Sequence, residues 1–103
     1  MTDLRGIYVV ELDKRRPALV LTRDWAIGRL RQVVVAPITS TVRGLPTEVL
    51  VGQANGLQHD SVINIDGTQL VLGADLGRPI GYLLAHQEPA LTAAVIAAFD
   101  LEI

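Results

Sequence analysis

A chain of 103 residues, half of them hydrophobic, is predicted to form a single domain over residues 1–103. It has no cysteine, which excludes disulfides and thiolate metal sites. It has neither an apolar segment typical of a signal peptide near its start nor an apolar run long enough to span a membrane, so we expect a cytoplasmic protein. The net charge of −2 is uneven: eight basic and four acidic side chains precede Gly44, against one basic and seven acidic side chains after it. Unless the two halves interleave in space, this indicates an anionic partner on one face, and the apolar composition of so small a chain indicates a homodimer.

Short strands are predicted throughout the first half of the chain. Residues 5–12 form a strand with an apolar body, and a tight connection leads to a second strand over residues 18–22. Proline cannot donate to a ladder, so we expect Pro17 at the start of that strand. Residues 33–36 are typical of a central strand buried on both faces, which Pro37 interrupts with a bulge or an outward-facing position.

The second half predicts further strands and one helix. Strands are expected over residues 47–51, 61–65, 69–72 and 80–84. Asp66-Gly67, between two of them, is typical of a β-hairpin. The apolar residues of a helix that starts near Pro89 recur at helical spacing: Leu91, Ala94, Val95, Ala98 and Phe99. The predicted fold class is therefore mainly β (α+β), a small bent barrel of about six or seven antiparallel strands with a C-terminal helix.

Hydroxyl and guanidinium groups follow the central strand. Thr39, Ser40 and Thr41 come directly after it, and Arg43 precedes a Gly-Leu-Pro turn. Donors at the rim of a rigid scaffold commonly bind phosphate, although threonine and serine also favour exposed strand ends for structural reasons alone. Arg16, stiffened by the proline after it, is a second phosphate-binding candidate. Together with Thr39 it predicts a site that stabilises phosphoryl transfer.

Other catalytic signatures are absent from the sequence. There is no glycine-rich phosphate loop and no metal-ligand spacing, so we expect no metal and no cofactor. His59 and His86 are the residue types of an acid/base pair, but they lie in separate connecting regions. Two surface imidazoles are the simpler interpretation.

Short motifs in a fixed order along nearly the whole chain resemble those of one family. They are Arg5-Gly6-x-Tyr8, Arg16-Pro17-Ala18-Leu19-Val20-Leu21, Val35-Ala36-Pro37-Ile38-Thr39, Leu45-Pro46-Thr47-Glu48-Val49 and Asp60-Ser61-Val62-Ile63. The chain thereby resembles the MazF/PemK/Kid toxins of type II toxin–antitoxin systems. The resemblance implies a homodimer of SH3-like barrels that cleaves single-stranded RNA at short motifs without a metal ion. Attack by the ribose 2′-hydroxyl would leave a 2′,3′-cyclic phosphate and a 5′-hydroxyl.

The resemblance also assigns roles to individual residues. The family's catalytic arginine falls on Arg16 and its catalytic threonine on Thr39, the two positions singled out above. Charge and position add a set of candidate RNA contacts: Lys14, Arg15, Arg23, Ser40, Thr41 and Arg43. The implied partners are messenger, ribosomal or transfer RNA and a MazE-like antitoxin, which would lay a disordered, acidic and apolar segment across the basic groove.

Two departures from the family pattern concern this site. The loop before Arg16 is much shorter than in many relatives, where it can carry an acidic residue suggested as a base, and Asp13 is the nearest carboxylate here. Many relatives carry Glu-Gln where this chain has Asp66-Gly67. Asp66 either keeps part of a base-reading role toward RNA or is only a hairpin residue.

Two other functions are compatible with the predicted fold. One is a CcdB-like, non-catalytic toxin that binds DNA gyrase, but such proteins depend on a C-terminal tryptophan and the single tryptophan here is Trp25. The other is an inactive SH3-like binding module, which would leave the ordered motifs around Arg16 and Thr39 unexplained.

Overall fold

The computed structural model describes residues 4–102, which form seven strands and one α-helix. The strands are β1 (Gly6–Glu11), β2 (Arg15–Val20), β3 (Gln32–Thr39), β4 (Glu48–Val51), β5 (Ser61–Asn64), β6 (Gln69–Leu72) and β7 (Gly81–Tyr82), and the helix is α1 (Glu88–Phe99). All strand pairs are antiparallel in the order β4-β5-β3-β2-β1-β7, and β6 also pairs with β3. The predicted class, a curled antiparallel sheet with a C-terminal helix, is confirmed.

The central strand, β3, changes partner along one of its edges. β6 pairs with residues 32–35 and β5 with residues 38–39. The N–H of Val34 points the other way, toward the β2 side, where it donates to Thr22 Oγ1 at 2.8 Å. Because successive N–H groups of a strand point to opposite edges, the nitrogen of Pro37, three residues after Val34, faces the edge that β5 and β6 occupy. It lies where the pairing with β6 has ended and the pairing with β5 has not yet begun. The predicted irregularity at Pro37 is thus a change of neighbouring strand.

The predicted hairpin between the strands at residues 61–65 and 69–72 is wrong. β5 and β6 do not pair with each other, since both pair with β3. Asp66 and Gly67 belong to a 3₁₀ turn, Ile65–Gly67, that carries the chain from one half of the β3 edge to the other. The eight residues of β3 thus have room for two short partners end to end.

Two apolar clusters lie on the two faces of the sheet, as the alternation of side chains along a strand requires. The larger one, packed against α1, contains Ile7, Leu19, Ala36, Ile38, Val49, Val51, Leu57, Ile63, Ile65, Leu83, Leu91 and Ala94. The smaller one contains Val10, Ala18, Val20, Val33 and Val35. Each such aliphatic side chain contributes about 1.5–3 kcal/mol when fully buried. The face that carries the smaller cluster also carries the candidate site.

The helix agrees with its prediction except at its last residue. Pro89 lies in the first turn, and Leu91 and Ala94 are buried against the sheet. Phe99 is 56% exposed, although its spacing placed it on the apolar face. It belongs to the last helical turn and lines a groove beside Leu21, because the helix has run past the main core there.

The strand at β7 is shorter than predicted, with two residues instead of five. The second strand is longer, because β2 begins at Arg15 and includes Pro17. Pro17 is tolerated inside β2 because the β2–β3 ladder begins only at Ala18. This early end of the ladder shapes the candidate site.

Candidate functional site

Arg16 and Thr39 come together through the register of β2 and β3. The ladder pairs Ala18 with Pro37, and continuing the same count by two residues brings Arg16 opposite Thr39. Residues directly opposite in an antiparallel pair share one face of the sheet. Both side chains line one cleft of about 320 Å³.

Pro17 explains why the two strands are not hydrogen-bonded at this point. The N–H of Leu21 donates to the carbonyl oxygen of Val34 at 2.8 Å, so the nitrogens of β2 at every second residue, including that of Pro17, face β3. Pro17 has no hydrogen to donate, and the ladder ends before it. Arg16 and Thr39, two residues further along the two strands, therefore face each other beyond the end of the ladder.

Two further strands extend the same face. Thr39 pairs with Val62 of β5, and Asn64, two residues on, pairs with Glu48 of β4. Polar side chains from four strands therefore line up on one face, with additions from the loop after β3. The lining residues are Arg16, Thr39, Thr41, Arg43, Leu45, Glu48, Asn64 and Asp66.

Arg16 is largely enclosed and held by one carboxylate. Its side chain is 18% exposed, and Nη2 donates to Asp13 Oδ2 at 2.9 Å. Its Nε is buried and finds no hydrogen-bond acceptor within residues 4–102. A buried charged donor without an acceptor is costly, so this nitrogen is suited to an oxygen of a bound ligand.

Asp13 is exposed but electrostatically coupled to Arg16. Desolvation acts to raise the pKa of its carboxyl, but hydrogen bonding from the Lys14 N–H and the charge of Arg16 outweigh desolvation and hold the pKa below its ordinary value of 3.8. The carboxylate is therefore ionised at neutral pH and oriented toward the guanidinium. In this form it is a weak base and a good anchor.

Thr39 has a hydroxyl proton to donate. Its Oγ1 accepts the N–H of Thr41 at 3.2 Å, which uses one lone pair and leaves the O–H free to turn toward the cleft. On the far side, Thr47 Oγ1 donates to Asp66 Oδ2 at 2.6 Å, and the Asp66 N–H donates to Asn64 Oδ1 at 3.1 Å. These bonds fix the acidic wall of the cleft.

The loop that follows β3 is bound to a single carboxylate. Glu48 Oε1 accepts the N–H groups of Arg43 at 3.2 Å, Gly44 at 2.8 Å and Leu45 at 3.1 Å. Gly44 has φ +74°, a left-handed conformation that allows successive N–H groups to converge on one oxygen. The loop thereby presents Thr41 and Arg43 at the rim of the cleft.

The cleft contains some of the sequence-predicted residues and not others. Five of them line it: Arg16, Thr39, Thr41, Arg43 and Asp66. Four do not: Lys14, Arg15, Ser40 and Arg23. Three of these are exposed and lie within two residues of a lining residue in the sequence: Lys14, Arg15 and Ser40. Arg15 Nη1 lies 3.8 Å from Glu11 Oε1. A role for these four in RNA binding stays a prediction.

Arg23 belongs to a different cleft of about 780 Å³. Its guanidinium carbon lies 4.4 Å from the centroid of the Trp25 ring, a cation–π contact. Tyr8 and Tyr82 also line this cleft. Burial, followed by the nearby Tyr82 and Asp24, raises the pKa of the Tyr8 phenol, which stays neutral near pH 7.

The sequence reasoning missed Leu45, Glu48 and Asn64 as lining residues. Glu48 begins β4 (Glu-Val-Leu-Val) and Asn64 ends β5 (Ser-Val-Ile-Asn), and because neither strand alternates apolar and polar side chains, the sequence did not indicate that the two residues share a face. Which face that would be depends on the pairing of β5 with both β3 and β4, which no local pattern shows. Neither His59 nor His86 lines the cleft; both are exposed.

In residues 4–102 there is no group of three or more histidine, aspartate and glutamate side chains arranged to hold a metal ion. No helix within those residues is long and apolar enough to cross a membrane.

Comparison with known proteins gives a consistent result. A family described as PemK-like, MazF-like toxin of type II toxin–antitoxin system matches residues 3–99. Endoribonuclease MazF3 of Mycobacterium tuberculosis is 56% identical over 99 residues, covering 96% of each chain. Probable endoribonuclease MazF5 of the same species is 39% identical over 87 residues, covering 84% of this chain and 80% of its own.

Solved structures agree with these relatives. The Mycobacterium tuberculosis toxin MazF-mt6 superposes with a TM-score of 0.92 at 56% identity, covering 96% of this chain and 100% of that one. A mycobacterial endoribonuclease in complex with its cognate antitoxin gives a TM-score of 0.84 at 25% identity, covering 99% of each.

Proposed function

The chain belongs to the PemK-like, MazF-like toxins of type II toxin–antitoxin systems, and from that membership we propose that it cleaves single-stranded RNA with Arg16 and Thr39 as catalytic residues. It is an endoribonuclease toxin, given its near-full-length identity of 56% to a curated endoribonuclease. The observation that carries the residue assignment is the buried, unpaired Nε of Arg16 beside the Thr39 hydroxyl. Relatives that are endoribonucleases favour this function over gyrase binding.

The proposed reaction is an internal transesterification. The ribose 2′-oxygen forms a bond to the adjacent phosphorus while the bond from phosphorus to the 5′-oxygen breaks. The 2′-hydroxyl loses its proton, the leaving 5′-oxygen gains one, and the products are a 2′,3′-cyclic phosphate and a 5′-hydroxyl. Negative charge grows on the non-bridging oxygens, which the Arg16 guanidinium and the Thr39 O–H would stabilise.

Asp13 is proposed to orient Arg16. The Lys14 N–H and the Arg16 charge lower the pKa of its carboxyl, so the group is ionised near pH 7 and is a poor proton acceptor there. Arginine itself stays protonated and is suited to stabilising charge. Activation of the 2′-hydroxyl is therefore assigned mainly to geometry and to the charge of Arg16.

RNA is proposed to enter along the open face of the cleft. Thr41 and Arg43 at the rim supply a hydroxyl and a charge for the backbone, and Asn64 and Asp66 supply base-reading acceptors.

An RNA-cleaving toxin acts where RNA is translated, so we assign it to the cytoplasm, with residues 1–103 as one toxin domain. The cognate antitoxin is proposed to cover the same basic rim.

A homodimer is proposed as the working form. Large apolar side chains remain exposed on the described chain, among them Trp25, Leu50, Leu70 and Phe99. Association with a second copy would remove such side chains from water, which favours a dimer.

The test is cleavage of a mixed-sequence single-stranded RNA in excess EDTA by wild type, Arg16→Ala and Thr39→Ala. Each substitution removes a donor to the transition state and is expected to lower kcat by about 100-fold or more. Arg78→Ala, which removes an exposed charge outside the cleft, is the matched control and should leave cleavage unchanged.

The end groups of the products complete this test. Wild type should cut at a recurrent short motif and leave 2′,3′-cyclic phosphates, detected by mass spectrometry. Full activity of folded Arg16→Ala, or cleavage that EDTA abolishes, would contradict the proposal.

A further inference from the structure

Glu48 is the lining residue whose role the proposed reaction leaves unexplained. It is half-buried and begins β4, and its carboxylate lies in the same cleft as Arg16 and Thr39. An acidic group beside a phosphate-binding cleft repels the substrate unless its charge is used elsewhere. The hydrogen bonds of Glu48 show which groups its carboxylate binds.

The carboxylate is committed to the backbone of the preceding loop. Oε1 accepts three N–H groups, from Arg43, Gly44 and Leu45, and Oε2 lies 3.4 Å from the Arg43 nitrogen. The lone pairs of Oε1 are therefore occupied by the loop backbone. Three N–H dipoles directed at the carboxylate also offset its charge.

The loop has few other constraints. Between the end of β3 and the start of β4 it forms no strand or helix, and its residues 40–46 are exposed. Its two ends are held at Thr41, whose N–H donates to Thr39 Oγ1, and at Thr47, which bonds to Ile65 and Asp66. In the middle of the loop, the other backbone bond runs from the Glu48 N–H to the Leu45 carbonyl oxygen at 3.1 Å. Without the carboxylate, three consecutive N–H groups lose their acceptor, and the middle of the loop, which carries Arg43, loses its main constraint.

We propose that Glu48 is a positioning residue for RNA: its carboxylate fixes the loop so that Arg43 and Thr41 meet the RNA backbone at the rim of the cleft. This rests on the proposed function for its substrate. Glu48 acts through the loop and touches no reacting atom. Its removal should therefore weaken RNA binding while Arg16 and Thr39 still carry out the chemistry.

The first experiment tests the loop itself and needs no RNA. Amide hydrogen exchange is measured for wild type, Glu48→Ala and Glu48→Gln, with Asp75→Asn as an exposed acidic control outside the cleft. The amides of Arg43, Gly44 and Leu45 should exchange markedly faster in Glu48→Ala. They should be partly protected in Glu48→Gln, which keeps an acceptor oxygen. Equal exchange in all four proteins overturns the proposal.

The second experiment measures binding and cleavage separately. Affinity for a 2′-O-methyl single-stranded RNA, which cannot be cut, should fall about ten-fold in Glu48→Ala, the scale of one charge-assisted hydrogen bond of about 1.4 kcal/mol. On cleavable RNA, KM should rise by a similar factor with kcat within about two-fold, because uniform binding is lost. A collapse of kcat with unchanged KM would give Glu48 a chemical role and overturn the proposal.

A double-mutant cycle links Glu48 to Arg43. If the carboxylate works through Arg43, Arg43→Ala combined with Glu48→Ala should weaken RNA binding little more than Arg43→Ala alone. Fully additive losses would overturn the proposal. Since binding to uncut RNA and amide exchange do not depend on cleavage, failure of the wild type to cut RNA would count against the proposed reaction and not against this role of Glu48.

Discussion

Arg16 is the residue on which the proposed chemistry of the cleft depends, and its guanidinium is bound by Asp13. The guanidinium has one bond to Asp13 through Nη2 and a buried Nε without an acceptor in the described chain. Orientation by one carboxylate leaves the other nitrogens free for a phosphate, whose oxygens match the fork of arginine. In this pair, Asp13 orients the guanidinium, and Arg16 is the residue proposed to bind the phosphate.

We predict that Asp13→Asn lowers kcat several-fold without unfolding the protein, because Arg16 loses its charged anchor. The pKa of Asp13 lies below 3.8, so the wild-type advantage is fully present at neutral pH and disappears as the pH falls through that depressed pKa. A kcat profile of both proteins from neutral to acidic pH checks this. An advantage that vanished near pH 6 to 7 would point to another titrating group.

Several elements are joined by hydrogen bonds at Asn55, a buried residue that does not line the cleft. This buried side chain donates from Nδ2 to the carbonyl oxygen of Tyr82 at 2.9 Å and to Gln87 Oε1 at 2.6 Å. Its Oδ1 accepts the Gly52 N–H at 3.1 Å. One amide therefore ties the turn after β4 to β7 and to the start of α1.

Asn55→Ala is predicted to destabilise the fold by about 2–3 kcal/mol, because it leaves buried partners without hydrogen bonds. Urea unfolding of the variant against Gln53→Ala, an exposed neighbour in the same turn, gives the difference. RNA cleavage per folded molecule should be unchanged. Equal stability of the two variants would show that water replaces the amide.

The elements themselves were largely readable from the sequence, whereas their long-range pairing was not. Apolar runs and turn residues located all seven strands to within three residues at each end, and Pro89 located the helix start. Asp66-Gly67 predicted a hairpin because local turn chemistry says nothing of the free edge that β3 offers. Asn55 escaped notice for the same reason, because its partners Tyr82 and Gln87 come near it only in the assembled fold.

The whole molecule is acidic, yet its candidate RNA surface is not. The charge asymmetry along the chain partly cancels in space, since Arg5 pairs with Glu88 at 3.0 Å across the two halves. At the cleft, Arg16 and Arg43 stand beside Glu48 and Asp66, two carboxylates that already accept hydrogen bonds. RNA is therefore expected to contact a small number of cations and not a broad basic face.

We predict a modest salt dependence of RNA affinity. With two to four phosphates neutralised, the slope of log affinity against log salt should be about −1.4 to −2.8 for a single strand. Fluorescence anisotropy with the uncleavable RNA at several salt concentrations measures it, and Arg43→Ala should make the slope shallower by about 0.7. A slope steeper than about −5 would mean that the basic residues outside the cleft also bind RNA.

The alternation of side chains along β3, β4 and β5 separates the site from the core in a way that matters for engineering. Thr39, Glu48 and Asn64 each adjoin a buried aliphatic residue that faces the opposite side: Ile38, Val49 and Ile63. Side chains of the cleft can therefore be exchanged while the scaffold keeps its packing. A combinatorial library restricted to Leu45, Asn64 and Asp66 is accordingly a direct route to altered cleavage motifs, with sequencing of the cut ends as the selection readout.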